Sequence, residues 1–445
     1  VSTSKKKKST TKKITRPISI DHIARIEGKA GIEVRHDGKN VQVSQVNIIE
    51  GPRYFEAITL GKSVEEATAV FPRVCSFCAA AHKITGVQAA EKAIGLHPTK
   101  QTVMLRELLY IGDYIESHAL HLFLLALPDF LGYADAFSMA KDYPAILSAG
   151  LALKDIGADI QTIIGSRYIH QENVMMGGFG KLPTKKKLQD LDKRLRGLHN
   201  ESEQALETLV SYRNWPEVDA PRLHLALEPH GDIYSMLGDV VHASDGTKFK
   251  VDAYKMRIRE SVVAHSFAKH GYYNEQPFMT GALSRYALFG SRLYERAQEL
   301  ASMYVEYLDP SNPMSNNFAQ AIEIVYYFQR AEYLINNLLS SYKPYEKRIV
   351  PHVTKAGTGV SITEAPRGLL AYTISVNKNG KVKGADIITP TAMFLPVLED
   401  DLKRMSEGLL RQGIKDAKVI GPKLETIVRS YDPCVSCSVH ISEIK

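Results

Sequence analysis

Four cysteines carry the chemistry that this sequence can offer. Cys75 and Cys78 form one Cys-x-x-Cys pair, Cys434 and Cys437 form a second, and 355 residues separate the pairs. Outside an oxidising compartment such spacing points to metal or redox chemistry rather than to a disulfide framework. Cys75 and Cys78 precede an Ala-rich stretch through Ala90, so they stand at a helix start, where free N–H groups and the helix dipole favour thiolate. Cys434 and Cys437 follow Asp432-Pro433, a turn or helix-start signal. Brought together, the pairs make a four-sulfur site suited to Zn, Fe or another thiophilic metal. On spacing alone, a structural Zn(Cys)4 staple joining the two ends is the simplest reading, although metal ribbons use shorter intervals. A dithiol/disulfide motif explains only one pair at a time.

The elements that must bring the pairs together read as mainly helical. Residues 17–50 alternate apolar and polar positions on either side of Asp37-Gly38, a hairpin turn signal. From about Tyr54 the period becomes helical. Residues 99–127 sustain apolar i, i+3, i+4 spacing over roughly eight turns. Further helices are expected around 137–165, 184–212, 250–270, 283–307, 315–341 and 397–411, with 184–212 peripheral because of its wide polar faces. Strands return over 357–390, with a turn at Asn377–Gly380. The expected fold class is mainly α with small β-sheets (α+β): a single α-rich domain over residues 17–440 around a long central helix bundle.

Charge narrows the partners. Residues 1–16 hold six Lys, one Arg and no acid, which accounts for the net charge of +7 and leaves 49 basic against 49 acidic residues in the remainder. The basic character belongs to a tail, expected to be a disordered, solvated arm. No nucleic-acid groove is indicated. No apolar run reaches 18 residues, and the longest, Leu120–Leu131, is broken by His121, Pro128 and Asp129, so no membrane span is expected.

Four motifs in order give a family resemblance: RIEGKAGIEV (25–34), RVCSFCAAAH (73–82), EAPRG (364–368) and DPCVSCSVH (432–440). The sequence resembles the large, catalytic subunit of [NiFe] hydrogenases. That resemblance implies a nickel ion held by four thiolates beside an iron carrying CO and cyanide, a Ni-Fe(CO)(CN)2 centre. Cys75 and Cys434 would be terminal nickel ligands, and Cys78 and Cys437 would bridge to iron. Glu27 would take the first proton from a terminal cysteine sulfur, as a general base with a raised pKa. Arg367 would lie over the open metal position and contact a cyanide, paired with Asp113 or Asp432. His82 would donate to a bridging sulfur, and Thr391 would hydrogen-bond the other cyanide. Glu56, His440 and the carbonyl of Ile387 would hold a Mg (or Fe) ion near the C-terminus. Without the resemblance, Glu27 reads as a surface partner of Arg25, His82 as an ordinary core histidine and Glu56 as a solvated helix residue.

The sequence also departs from the common pattern. Ser76-Phe77 stand where many relatives have Gly and a small aliphatic residue, so Phe77 either narrows access or simply packs. Five residues, 441–445, follow His440, and in relatives a protease removes the corresponding extension after nickel insertion. The length and RSYDPCVSCSVH resemble the soluble, cytoplasmic, multisubunit class that couples H2 to NAD(P) or a related carrier. With all four cysteines assigned, electrons must leave through an iron–sulfur small subunit, expected to dock near Cys75. Nicotinamide would bind diaphorase-type flavin subunits, since GGFGK (177–181) lacks the spacing of a dinucleotide fingerprint. The alternatives are a membrane-associated energy-converting catalytic subunit, a complex-I-like module, which the four thiols disfavour, and a non-catalytic protein with structural zinc.

Overall fold

A computed structural model describes residues 17–51, 53–211, 215–231, 233–343, 349–353 and 355–439. The basic tail, His440 and the extension 441–445 lie outside the described residues. Among those described, no helix is long and apolar enough to cross a membrane.

The N-terminal strands Ile18–Ile20, Ala30–His36 and Val41–Ile48 form an antiparallel meander that turns at Asp37-Gly38, as the alternation predicts. The C-terminal strands Gly357–Ala365, Gly368–Val376 and Val382–Ile388 form a second meander. Its first hairpin is as tight as a hairpin can be: Ala365 pairs with Gly368, which leaves Pro366 and Arg367 as the two loop residues. Arg367 is thereby fixed at a turn tip. The cysteine helix Ala79–Ile94 packs across this sheet.

The long helix runs from Lys100 to Ala119, widens into a π-helical stretch over Leu120–Ala126 and ends at Leu131. It crosses Pro144–Gly165 at Gly112 and Gly157, where a Cβ on Gly157 would stand 2.7 Å from the Gly112 carbonyl oxygen. The 27-residue helix Ser315–Ser341 completes the bundle.

Several expected helices are subdivided. The helix expected over 137–165 begins at Pro144, a good first-turn residue, after a separate turn at Ala136–Met139. The stretch 184–212 breaks near Gly197, and 283–307 breaks after Gly290. The helix expected from 397 starts at Pro390 and carries Pro396 inside it. An additional helix, Ala417–Ser430, leads into the last cysteine pair. The expected helix over 250–270 is instead a 3₁₀ turn followed by an antiparallel pair, Ile258–Ser261 with His270–Tyr273. Within the first strand Ile258 is buried and Arg259 exposed, a period of two that a helical window averages away.

The bundle interior holds an ionic network with no exposure. Arg285 makes two 2.7 Å bonds to Glu323 and one of 3.0 Å to Glu364, and also donates to the carbonyls of Ala365 (3.1 Å) and Pro366 (2.9 Å). His118 contacts Glu323 at 2.8 Å. Helices from three parts of the chain therefore converge on the turn that presents Arg367. Burial works against the Glu323 charge, but Arg285 and His118 outweigh it and hold its pKa down at about 2. Burial pushes Glu364 up to about 7.

Replacing Glu323 by Gln should cost about 3–5 kcal/mol, because it strands a buried guanidinium. The Glu323 pKa is depressed on folding, so its contribution is complete above pH 4.5 and is lost as pH falls toward about 2. The gap in denaturant midpoint between wild type and Glu323→Gln should therefore shrink from pH 7 to pH 3. A constant gap would assign the network no charge-dependent role.

Candidate metal centre

Cys75 and Cys78 flank the junction between the 3₁₀ turn Phe71–Val74 and the helix Ala79–Ile94, and Cys78 is the residue that opens that helix. Its amide donates to Cys75 Sγ at 3.2 Å, as expected of sulfurs at a helix N-terminus. Cys434 and Cys437 lie on one turn after the helix Ala417–Ser430, entered through Asp432 at φ 51°. All four are buried, and their sulfurs lie within 4.8 Å of one another. The separations are 3.3 Å for Cys75–Cys434, 3.6 Å for Cys78–Cys437 and 2.6 Å for Cys434–Cys437. None is disulfide-bonded.

Burial opposes ionisation of Cys75 and Cys434, but hydrogen bonds from neighbouring thiols outweigh it and hold both below the usual thiol range. Cys78 is pushed up by its bond to Cys434, and Cys437 by burial. Four thiolates this close in a dry interior repel one another unless they share a cation. The donor set therefore fits a metal.

The cation Arg367 stands beside the sulfurs. Its Nε and one terminal nitrogen donate to the Asp432 carbonyl and carboxylate, each at 2.8 Å, and the other terminal nitrogen donates to Ser117 at 3.1 Å. Burial disfavours its charge, but Asp432 and the cysteines outweigh it, so it stays cationic. Of the two carboxylates expected to pair with it, Asp432 forms the ion pair. Asp113 instead accepts from the Ala81 amide at 3.3 Å, and burial, Glu116 and Cys75 push its pKa up. Phe77 is half-buried, with its ring centroid 5.9 Å from the Arg367 guanidinium carbon.

Glu27 is seated on the second cysteine turn. Its carbonyl accepts from Val435 N at 3.0 Å, and its carboxylate accepts from Ser436 N at 2.9 Å and from the Ser436 hydroxyl. Burial first, then Cys434, raises its pKa to about 8. It does not pair with Arg25, which joins Asp129 instead. Gly28 lets the two segments touch: at φ +87°, a Cβ there would lie 2.7 Å from Val435 Cβ.

His82 is buried, and burial lowers its pKa to about 3, so the ring is neutral. One nitrogen contacts Tyr372 Oη at 2.7 Å, while Nε2 has no hydrogen-bond partner. Thr391, in the first turn of Pro390–Arg411, accepts from Cys434 N at 3.0 Å and keeps its own proton to donate. Glu56 is 1% exposed, not solvated. Ile387 N donates to its Oε1 at 2.7 Å, Oε2 has no partner, and burial raises its pKa to about 7. The unpartnered His82 Nε2 and Glu56 Oε2 are further polar atoms that a bound centre and a nearby cation would satisfy.

The supporting contacts were the least visible in sequence. Asp129 receives both Arg25 and Arg429, His121 contacts the Arg429 carbonyl at 2.7 Å, and Gln320 donates to Asp432 at 3.1 Å. Arg53 donates to the carbonyls of Val74 and Ser436, tying the two cysteine turns together. His121 and Asp129 were visible only as polar interruptions of an apolar run.

The family model for nickel-dependent hydrogenase matches residues 53–152 and 235–440. Sulfhydrogenase 1 subunit alpha of Pyrococcus furiosus is 48% identical over 96% of this chain and 98% of its own length. Sulfhydrogenase 2 subunit alpha of the same organism is 34% identical over 96% and 100%. In fold, the chain is similar to a crystal structure of an NAD+-reducing [NiFe]-hydrogenase in the H2-reduced state, with a TM-score of 0.85 at 22% identity over 96% of this chain and 100% of that one.

Gly28→Ala should push the Val435–Ser436 turn away from Glu27 and misplace Cys434 and Cys437. The expected result is a folded protein with sharply reduced metal occupancy, measured by elemental analysis beside circular dichroism. Full occupancy would show that the turn tolerates the displacement.

Proposed function

The chain belongs to the nickel-dependent hydrogenase family as its catalytic large subunit, and from that premise we propose how its residues divide the reversible, heterolytic cleavage of H2. Cys75, Cys434, Cys78 and Cys437 would together hold the nickel–iron centre. The bound centre supplies the redox chemistry that parts the proton from the electron pair of H2. Glu27 takes the proton from the Cys434 sulfur. It is half-buried, its main chain is bonded to the cysteine turn, and its pKa of about 8 suits a group that must both accept and release a proton. Ser436, also half-buried, lies on the route outward. Arg367 keeps a fixed positive charge over the sulfurs, and Asp432 orients it. His82 Nε2 would donate to a sulfur of the bound centre, Thr391 would donate to a diatomic ligand of its iron, and Asp113 would support the same face.

Glu56 Oε2, the Ile387 carbonyl and His440, which lies outside the described residues, would hold a Mg (or Fe) ion. Electrons pass to an iron–sulfur small subunit and on to NAD(P) or a related carrier through diaphorase-type flavin subunits in the cytoplasm. The similarity to an NAD+-reducing enzyme and the use of every cysteine in one site support that assignment. Family membership sets aside the non-catalytic zinc-staple reading.

The convergence of both cysteine pairs in one buried cluster carries this reading. The native complex should contain one nickel per chain and show infrared bands of iron-bound CO and cyanide. Zinc alone, without those bands, would sink the proposal. Glu27→Gln should keep metals and H2 binding but lose about 10²-fold or more of H/D exchange. Wild-type exchange in that variant would remove Glu27 from the proton route.

A further inference from the structure

A second cluster of metal-binding side chains lies apart from the four thiols. His265 sits in the loop between the strands Ile258–Ser261 and His270–Tyr273, His270 opens the second strand, and Glu399 lies on the helix Pro390–Arg411. One donor atom from each falls within 4.8 Å of the others. His265 Nε2 is 2.8 Å from Glu399 Oε1, and His270 Nε2 is 3.3 Å from Glu399 Oε2. We propose that His265, His270 and Glu399 bind a divalent transition-metal ion of the zinc type, independent of the nickel centre.

Three observations carry the site. His270 is 1% exposed, yet neither ring nitrogen has a hydrogen-bond partner; its 3.3 Å approach to Glu399 has the distance of such a bond without its alignment. A buried nitrogen left in that state is destabilising, and a metal bond removes the deficit. The spacing also suits an ion. With Zn–N and Zn–O bonds of about 2.0–2.1 Å, tetrahedral ligand atoms stand about 3.3 Å apart. His270 Nε2 and Glu399 Oε2 have that separation. His265 Nε2 lies closer, 2.8 Å from the other oxygen, and would draw back on exchanging its hydrogen bond for a metal bond.

Finally, the carboxylate is held in place from outside the trio. Val46 N donates to Glu399 Oε1 at 2.8 Å, Ser44 donates to the Glu399 carbonyl at 2.8 Å, and the loop is pinned where Phe267 N donates to Ile48 O at 3.0 Å. Such outer contacts are what orient ligands in metal sites. Two imidazoles and one carboxylate favour zinc-type ions over Mg²⁺ or Ca²⁺, which prefer all-oxygen shells. His265 and Glu399 keep 18% and 15% of their side-chain surface, so solvent can supply the ion and a fourth ligand.

The ion would tie the hairpin of Ile258–Ser261 and His270–Tyr273 to the helix Pro390–Arg411, whose first turn touches the second cysteine pair. Thr391, two turns before Glu399 on the same helix, accepts from Cys434 N. Gly271, next to His270, packs directly on the same helix: a Cβ there would be 2.8 Å from Met393 Cα. The site is therefore a staple that holds this helix against the hairpin.

The test uses the native complex, stripped of loose metal with a chelator, incubated with Zn²⁺ and passed through gel filtration. Wild type should retain one more zinc per chain than His265→Ala or Glu399→Gln, and its Tm should rise with Zn²⁺ and fall again with chelator. The His265→Ala variant, altered only at a half-exposed loop position, should keep nickel and H/D exchange while its Tm ignores both additions. Equal zinc in wild type and His265→Ala, or a wild-type Tm indifferent to Zn²⁺ and chelator, would overturn the proposal and leave the trio as ion pairs. Since nickel is measured in the same samples, failure of this site is distinguishable from failure at the thiols.

Discussion

Thiolates bind metal only when ionised, and ionised groups resist burial unless opposite charge and hydrogen-bond donors accompany them. The structure is organised around that constraint. Arg367 supplies the charge, and its position comes from a two-residue hairpin whose preceding carbonyls are gripped by Arg285. Arg285 can be buried because Glu323 and Glu364 accept its hydrogen bonds, and those carboxylates sit on different elements. A chain of compensations thus runs from the bundle interior to the sulfurs. Each member is costly alone and acceptable only in company.

The second consequence concerns the two ends of the chain. The turn Asp432–Val439 belongs to no helix and no multi-stranded sheet, so contacts from elsewhere must specify it. Glu27 pairs with it on one side, Arg53 bridges it to the first cysteine turn, Thr391 caps the Cys434 amide, and Arg367 with Gln320 holds Asp432. Upstream, Arg25 and Arg429 meet on Asp129. The widened turn at Leu120–Ala126 is part of this arrangement, because it leaves the Leu125 carbonyl available to Arg25 at 2.5 Å and turns His121 toward Arg429. Helix irregularity here serves the alignment of two distant segments.

These relations explain what could and could not be read from the sequence. Cys-x-x-Cys spacing, the Asp37-Gly38 hairpin and the long apolar period are local signals, and each appears in the structure where expected. Glu56 reads as a solvated helix residue because nothing beside it in sequence shows that Ile387 will cover it. Asp129 and His121 look like defects in a greasy run because their partners lie 104 and 308 residues away. Periodicity reports which face of an element is buried, whereas buried polar pairs are settled by tertiary contact. The 250–270 stretch fails for a related reason: its strands are four residues each, too short to outvote a helical window.

The same environments separate carboxylates that share a chemical type. Glu323, doubly bonded to a guanidinium, stays ionised, whereas burial lifts Glu27 to about 8, Glu56 to about 7 and Asp113 upward. A raised pKa alone therefore does not pick out a proton acceptor. Asp113 feels Cys75, but it is 1% exposed and its carboxylate faces the Ala81 amide, so a proton taken there has no short way out. Glu56 faces Ile387 and a region of mixed charge rather than the sulfurs. Among these groups, only Glu27 joins contact with a cysteine turn to partial exposure and a hydroxyl neighbour that is itself half-buried. Position between thiol and solvent, rather than acidity, is what recommends Glu27 for the proton-carrying role we propose.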